Sequence, residues 1–133
     1  MRNLRFALLI ACVGVGAASD ASGRLVVNGD EWSFSDQAFS GNSANTNRYV
    51  ENLAARFGGS GSSFLFATGN GVFAGSSVLN KLGTLGVSTT LQTSGTVDAA
   101  MLSGYDAVFL AGPMGTSASE LAALDTFLQD GGH

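Results

Sequence analysis

The chain has 133 residues, 45% of them hydrophobic and 12% charged, with nine Phe, two Tyr and one Trp. A length within the ~100–200 residues of an ordinary domain bounds the chain at one domain. This much apolar content excludes an intrinsically disordered chain, which combines low hydrophobicity with high net charge. Six Lys+Arg against ten Asp+Glu give a net charge of −4 and a pI near 4.6. The basic footprint that neutralises a phosphate backbone is missing, which excludes nucleic acid as a partner.

The N-terminus carries an address. Met1-Arg2-Asn3-Leu4-Arg5 is a short positive segment, Phe6 to Ala18 (FALLIACVGVGAA) is uncharged and apolar, and Ser19-Asp20-Ala21-Ser22-Gly23 is polar. This order is that of a secretory signal peptide over residues 1–21, with cleavage after Ala18 or Ala21. The apolar run is shorter than the ~20 residues that span a bilayer, so the mature chain is expected to carry no transmembrane span. Leu9-Ile10-Ala11-Cys12 also resembles a bacterial lipobox, which gives lipid anchoring through Cys12 as the alternative to free export. Cys12 is the only cysteine, so the folded part has neither a disulfide nor a thiol nucleophile. Cleavage after Ala18 leaves Arg24, Arg48, Arg56 and Lys81 against ten acids, a net charge near −6.

Residues 24–133 alternate strand-like and helix-like segments. Arg24-Leu25-Val26-Val27-Asn28 reads as a strand. Tyr49, Val50, Leu53, Ala54 and Phe57 then recur at helical spacing, between Thr46 or Asn47 as N-cap and Gly58-Gly59 as terminator. Ser63 to Ala67 (SFLFA) is the next strand, and Val78, Leu79, Leu82 and Leu85 form a helical stripe opened by Ser76 or Ser77 and stopped by Gly86. Val87 to Gln92 (VSTTLQ) is rich in β-branched residues and reads as a strand, after which Thr96 caps a short helix through Ala99, Ala100 and Leu102. Ala107 to Ala111 (AVFLA) is the most continuous apolar strand. Ser117-Ala118-Ser119-Glu120 spells a capping box. It opens a helix with Leu121, Leu124 and Leu128 as its buried stripe and Gly131-Gly132 at its end.

Short apolar strands joined by helical crossovers give a parallel sheet covered on both faces. The expected fold is a three-layer α/β domain of flavodoxin-like or Rossmann-like type. It has about four strands and is incomplete at the C-terminus, because the alternation calls for a fifth strand directly after His133. The apolar VFLAG segment becomes an aggregation hazard if the missing strand leaves it at an open edge.

Ligands of open α/β sheets sit beyond the carboxyl ends of the strands, and three loops there are candidates. Gly29 to Asp36 (GDEWSFSD) begins a connection of some 15 residues, where about 2–6 is usual. Asp30, Glu31 and Asp36 offer hard oxygen ligands for Ca²⁺. Against that, Trp32, Phe34 and Phe39 can fold over the sheet as an apolar lid while the acids stay solvated. Thr68 to Gly75 (TGNGVFAG) places Gly69, Asn70 and Gly71 between a strand and a helix, the context of a phosphate cradle. Its spacing is G-x-G-x-x-x-G, no acid follows at the end of the next strand, and the domain is acidic, so a structural turn and no cofactor is the expectation. The third loop, Ala111 to Thr116, contains Gly112 and Pro113.

Tyr105-Asp106-Ala107-Val108-Phe109-Leu110-Ala111-Gly112-Pro113, followed by the Ser/Glu-capped helix, resembles the YDxxxLxGGP stretch of class I glutamine amidotransferase-like domains. The order of elements is similar over residues 24–133. The resemblance implies a glycine-rich loop near the site and a catalytic Cys on a nucleophile elbow after the next strand, which starts at or just beyond His133. The signal peptide, VVNGDEWSFSD, YDAVFLAG and LxxFLQDGG together resemble exported bacterial proteins that carry such a domain and are often associated with a C-terminal PEP-CTERM sorting segment.

The folded part has no Cys and its only His is His133, so neither a Cys-His-Glu nor a Ser-His-Asp arrangement can be assembled within it. Asp106 stands at the amino end of its strand as a boundary residue, and Ser60, Ser62 and Ser63 read as turn residues. The expected function is a non-catalytic exported domain binding a small ligand or an envelope or matrix component. The alternative is an amidotransferase-like or hydrolase domain whose nucleophile lies beyond residue 133.

Overall fold

The computed structural model describes residues 31–112 and 117–133. The signal segment 1–21, Cys12, the expected strand Arg24–Asn28, Asp30 and Pro113 lie outside the described residues.

The sheet is built on β1 (Ser63–Thr68), whose residues 64–68 are all buried. Successive side chains of a strand point to opposite faces. Phe64 and Phe66 accordingly enter one core cluster, while Leu65 and Ala67 enter the other. β2 (Ser88–Gln92) and β3 (Ala107–Ala111) lie parallel on either side, giving the order β2-β1-β3. In register, Phe64 stands opposite Thr89 and Ala107. The expected three-layer parallel α/β fold is therefore present, with three strands among the described residues.

One face is covered by α1 (Asp36–Phe57) and α2 (Ser76–Thr84), the other by α3 (Ala99–Leu102) and α4 (Ala118–Gln129). On the first face the core is aromatic. Phe34 lies 5.0–6.1 Å, ring centre to ring centre, from Tyr49, Phe66, Phe73 and Phe109, and Phe66 stacks on Phe109 at 4.7 Å. Such ring pairs add about 0.5–1.5 kcal/mol each beyond the area they bury. On the second face Leu65, Ala67, Val97, Leu102 and Phe127 are buried together.

α1 begins about ten residues earlier than its apolar spacing suggests. Ser35 caps it by accepting from the Ala38 amide at 3.3 Å, and a 3-10 turn over Glu31–Phe34 precedes it. The helix is broken once, at Asn42 (φ −153°, ψ 66°), where Asn42 Oδ1 caps the second leg by accepting from the Asn45 amide. Thr46 is thus no N-cap: it is buried and donates its hydroxyl to the carbonyls of Ala38 and Asn42 across the break. What reads as a 15-residue loop is mostly helix, because Ser40-Gly41-Asn42-Ser43 interrupts the apolar period without ending the element.

α3 is capped by Asp98, which accepts from the Met101 amide at 2.8 Å, rather than by Thr96. On α4 the buried face runs through Glu120, Ala123, Leu124 and Phe127, whereas Leu121 is 55% exposed. The predicted stripe is rotated because the capping-box glutamate turns inward. Glu120 accepts from the Ser117 amide and hydroxyl and, from the neighbouring loop, from the buried Val97 amide at 3.0 Å. Asp106 is more than a boundary residue, since its carboxylate accepts from the Ser63 amide at 2.8 Å and ties the start of β3 to β1.

The end of α4 steers the chain back to the sheet. The Gly131 amide donates to Leu128 and the Gly132 amide to Phe127, the paired bonds of a Schellman motif, with Gly131 at φ 92°. His133 then lies along the outer side of β3: its amide donates to Asp106 O at 2.9 Å and its carbonyl accepts from the Val108 amide at 2.6 Å. Beyond that rung the edge continues past Leu110, which is 37% exposed.

Glu120→Ala strips a cap from α4 and leaves the Val97 amide buried without an acceptor, so a loss of about 2 kcal/mol is expected. For a domain of this size that corresponds to a Tm drop of roughly 8–16 °C. Glu120→Gln, which keeps one acceptor oxygen, should lose about half as much. Thermal melts of the two variants check the order.

Candidate functional site

β1 and β3 are neighbours, yet the chain leaves β1 for α2 on one face and β3 for α4 on the other. Such a reversal opens a crevice at the carboxyl ends of the two strands, the usual ligand position in this class of sheet. The structure brings Gly69, Asn70 and Gly112 together there. The Gly69 amide donates to Ala111 O at 3.4 Å, and a Cβ on Gly112 (φ 71°) would stand 3.6 Å from the amide nitrogens of Gly69 and Asn70. Gly71 sits on the exposed tip of the same loop.

The loop after β1 uses its own polar groups. Thr68 Oγ1 accepts from the Asn70 amide at 2.9 Å, Asn70 Oδ1 accepts from the Val72 amide at 2.9 Å, and the Phe73 amide donates to Asn70 O at 3.3 Å. Ala74 takes a left-handed conformation, φ 63°. For a residue with a Cβ that costs roughly 1–2 kcal/mol, and here it is imposed by the burial of Phe73 and Ala74 under the aromatic core.

The N-terminus of α2, where a phosphate cradle was conceivable, is already occupied by a carboxylate. Asp36 Oδ1 accepts from the Ser77 amide at 2.7 Å, and Oδ2 accepts from the Ser76 amide and hydroxyl at 3.3 Å. The N-cap residue of α2 is Gly75, not a serine, and it makes no side-chain cap. The Gly75 amide instead donates to Phe34 O at 2.8 Å, and a Cβ on Gly75 would meet Asp36 N at 2.6 Å and Asp36 Oδ1 at 2.8 Å. A serine at Gly75 could not let Asp36 approach. The amide bonds from Ser77 above all, with those from Ser76, hold the Asp36 carboxyl below its ordinary 3.8. The helix dipole favours the same charged form.

Of the acids proposed for Ca²⁺, Asp36 alone has a described side chain. Asp36 is turned into α2, Asp30 and the Glu31 side chain lie outside the described residues, and no group of three or more His, Cys, Asp or Glu forms among the described residues. The expected lid is realised in two of its three aromatics. Phe34 is buried and Phe39 packs on the core, whereas Trp32 is 54% exposed.

Trp32 instead stands at an open cleft of about 440 Å³ that sequence reasoning did not anticipate. The bend at Asn42 folds the two legs of α1 so that Asn42, Asn45, Thr46 and Tyr49 face it together with Trp32 and Ser33, and Ala38 and Gly41 complete the lining. The signal available in sequence was Ser35-Asp36, an N-cap followed by a first-turn acid, with Asn42 as a second cap.

No family model, curated protein or solved structure matches the chain.

The lowered Asp36 carboxyl sets a pH dependence. Its folded-state value lies below the unfolded one, so its stabilisation is complete above about pH 4 and fades as the pH falls through the lowered value. Asp36→Asn should therefore melt several degrees below the unmodified chain at neutral pH, with the gap closing below pH 3.8. Gly75→Ala should lower the neutral-pH Tm as well. Melting curves across the acid range check both.

Proposed function

We propose that this chain is an exported, non-catalytic binding domain that takes a small ligand or an envelope or matrix component. The observation that carries the reading is the cleft beside Trp32: the described residues that line it include no carboxylate, amine, imidazole or thiol. General acid–base or nucleophilic chemistry needs such groups in pairs. A ready-made anion site is closed as well, because Asp36 takes the α2 amides. Export is supported by the positive segment Met1–Arg5, the apolar run Phe6–Ala18 and the polar residues after it. No helix among the described residues is long and apolar enough to cross a membrane.

One observation favours a second reading, an amidotransferase-like or hydrolase enzyme of the class that Tyr105–Pro113 resembles. His133 is laid in parallel against β3 by two backbone hydrogen bonds, and the resemblance puts the start of the next strand at or just beyond this residue. In this reading Cys or Ser on an elbow is encoded past codon 133, and sequencing the gene through that point decides it.

Expression of the whole chain in a bacterium tests the preferred reading. The processed N-terminus should be Ser19 or Ser22 in the exported fraction, and the purified protein should release neither ammonia from glutamine nor p-nitrophenol from p-nitrophenyl acetate above the blank. An intact Met1 in the cytoplasmic fraction overturns export, and turnover of either substrate overturns the non-catalytic assignment. A lipid-modified Cys12 at the N-terminus, lost in Cys12→Ala, establishes anchoring in place of free export.

A further inference from the structure

The loop after β1 holds a reactive pair in its own chain. An asparagine side chain can be attacked at Cγ by the main-chain nitrogen of the residue that follows. In a folded protein this depends on the bulk of that residue, on whether its amide is already engaged, and on whether the backbone lets the two atoms meet. A Cβ on the following residue stands in the way, and glycine has none. The described asparagines are Asn42, Asn45, Asn47, Asn52, Asn70 and Asn80, and among them Asn70 is the one followed by glycine. Asn45, Asn47, Asn52 and Asn80 lie inside α1 and α2, where the next amide is committed to the helical ladder.

The turn prepares the attack. Asn70 opens a turn over Gly71 and Val72 that is closed by the Phe73 amide, which donates to Asn70 O at 3.3 Å. Its side chain bends the same way, and Oδ1 accepts from the Val72 amide at 2.9 Å. Such an Asx turn keeps the side-chain carbonyl beside the Asn70–Gly71 peptide. The Gly71 amide donates to no group among the described residues, and Gly71 is exposed, so solvent base can take its proton. When nitrogen adds to Cγ, negative charge builds on Oδ1. The Val72 N–H is already directed at that oxygen, the arrangement by which backbone amides stabilise an oxyanion.

We propose that Asn70 is a site of self-modification, at which the Gly71 nitrogen displaces the side-chain amide. The bond from Gly71 N to Asn70 Cγ forms, the Cγ–Nδ2 bond breaks, and Nδ2 leaves as ammonia with the proton that Gly71 N gives up. Water then opens the five-membered imide. Opening at Cγ gives aspartate, and opening at the main-chain carbonyl gives isoaspartate, whose chain runs on through Cγ. Nothing is oxidised or reduced, and water is the sole co-reactant. Either product is a carboxylate at neutral pH and adds one negative charge to a formal −4. Isoaspartate also lengthens the main chain by a methylene where Gly69 donates to Ala111 O and Gly112 lies against Gly69 and Asn70, so the reaction alters the carboxyl ends of β1 and β3.

The purified full chain is incubated for weeks in mildly alkaline buffer and mapped by trypsin and mass spectrometry. The tryptic peptide 57–81 carries Asn70 and Asn80 and excludes Asn28, which also precedes a glycine and lies outside the described residues. Within it Asn70 should gain the mass of an amide-to-acid exchange, with isoaspartate exceeding aspartate, while Asn80 stays an amide. Gly71→Ala should slow the conversion by at least about tenfold. A Cβ at Gly71 meets nothing within 4 Å, so this variant should melt as the unmodified chain does. An Asn70 that stays intact overturns the proposal. Conversion to aspartate alone, or at an equal rate in Gly71→Ala, overturns attack by the Gly71 nitrogen.

Discussion

Three consecutive residues hold the first face of this domain together. Phe34 inserts its ring among Tyr49, Phe66, Phe73 and Phe109, Ser35 caps α1, and Asp36 caps α2. Each acts on a different element, so the tripeptide fixes the two helices to one another and to the sheet. The backbone shares in this, since Phe34 O accepts the Gly75 amide that would otherwise be orphaned at the start of α2. Asp36 is exposed and makes its bonds in water, so it contributes chiefly orientation, and the buried rings supply the larger part of the stabilisation.

The second face repeats this logic with other residues. Glu120 is a buried carboxylate that accepts from two chain segments, Ser117 at the head of α4 and Val97 before α3. On each face an acid accepts backbone amides and joins two chain segments on the same side, α1 to α2 by Asp36 and α4 to the loop before α3 by Glu120. This use of acids suits a chain with few bases. Among the described residues the ion pair resolved joins Lys81 and Glu51 across α2 and α1 at 2.6 Å, on the surface, where such a pair contributes about 0–1 kcal/mol. Order at the helix ends is therefore set by carboxylate-to-amide bonds, which need no cation.

How much of this could be read from sequence follows from which interactions are local. β1, α2, β2, β3 and the capping box of α4 were legible, because apolar runs, glycine stops and the Ser117–Glu120 spacing act within a few residues. The start of α1 was not. Its first leg has little apolar period, and its stability comes from Ser35 and from Phe34 meeting rings on β1, β3 and the loop after β1, contacts that spacing does not reveal. The face of α4 was misjudged for a related reason: the stripe was drawn through Leu121, Leu124 and Leu128, whereas Glu120 turns inward to accept from Val97, 23 residues away. At the candidate site, Gly69, Asn70 and Gly112 were placed correctly at the carboxyl ends of the strands, but the role of Asp36 and the cleft beside Trp32 were hidden, since both depend on α1 beginning at Asp36.

The same constraint bears on where a ligand can act. In a sheet of this order the crevice between the ends of β1 and β3 is the usual site, and an anion is its usual guest because a helix N-terminus faces it. Here Asp36 supplies that negative charge from within the chain, and its oxygens already accept the Ser76 and Ser77 amides. A phosphate or carboxylate entering there would have to displace Asp36 and lose the link between α1 and α2. The bend at Asn42 opens a different surface beside the same tripeptide, where the described lining residues are uncharged and Trp32 is exposed. Self-capping of the anion position and the opening of the cleft beside Trp32 are thus two consequences of one folding decision, the docking of residues 34–36 against the start of α2.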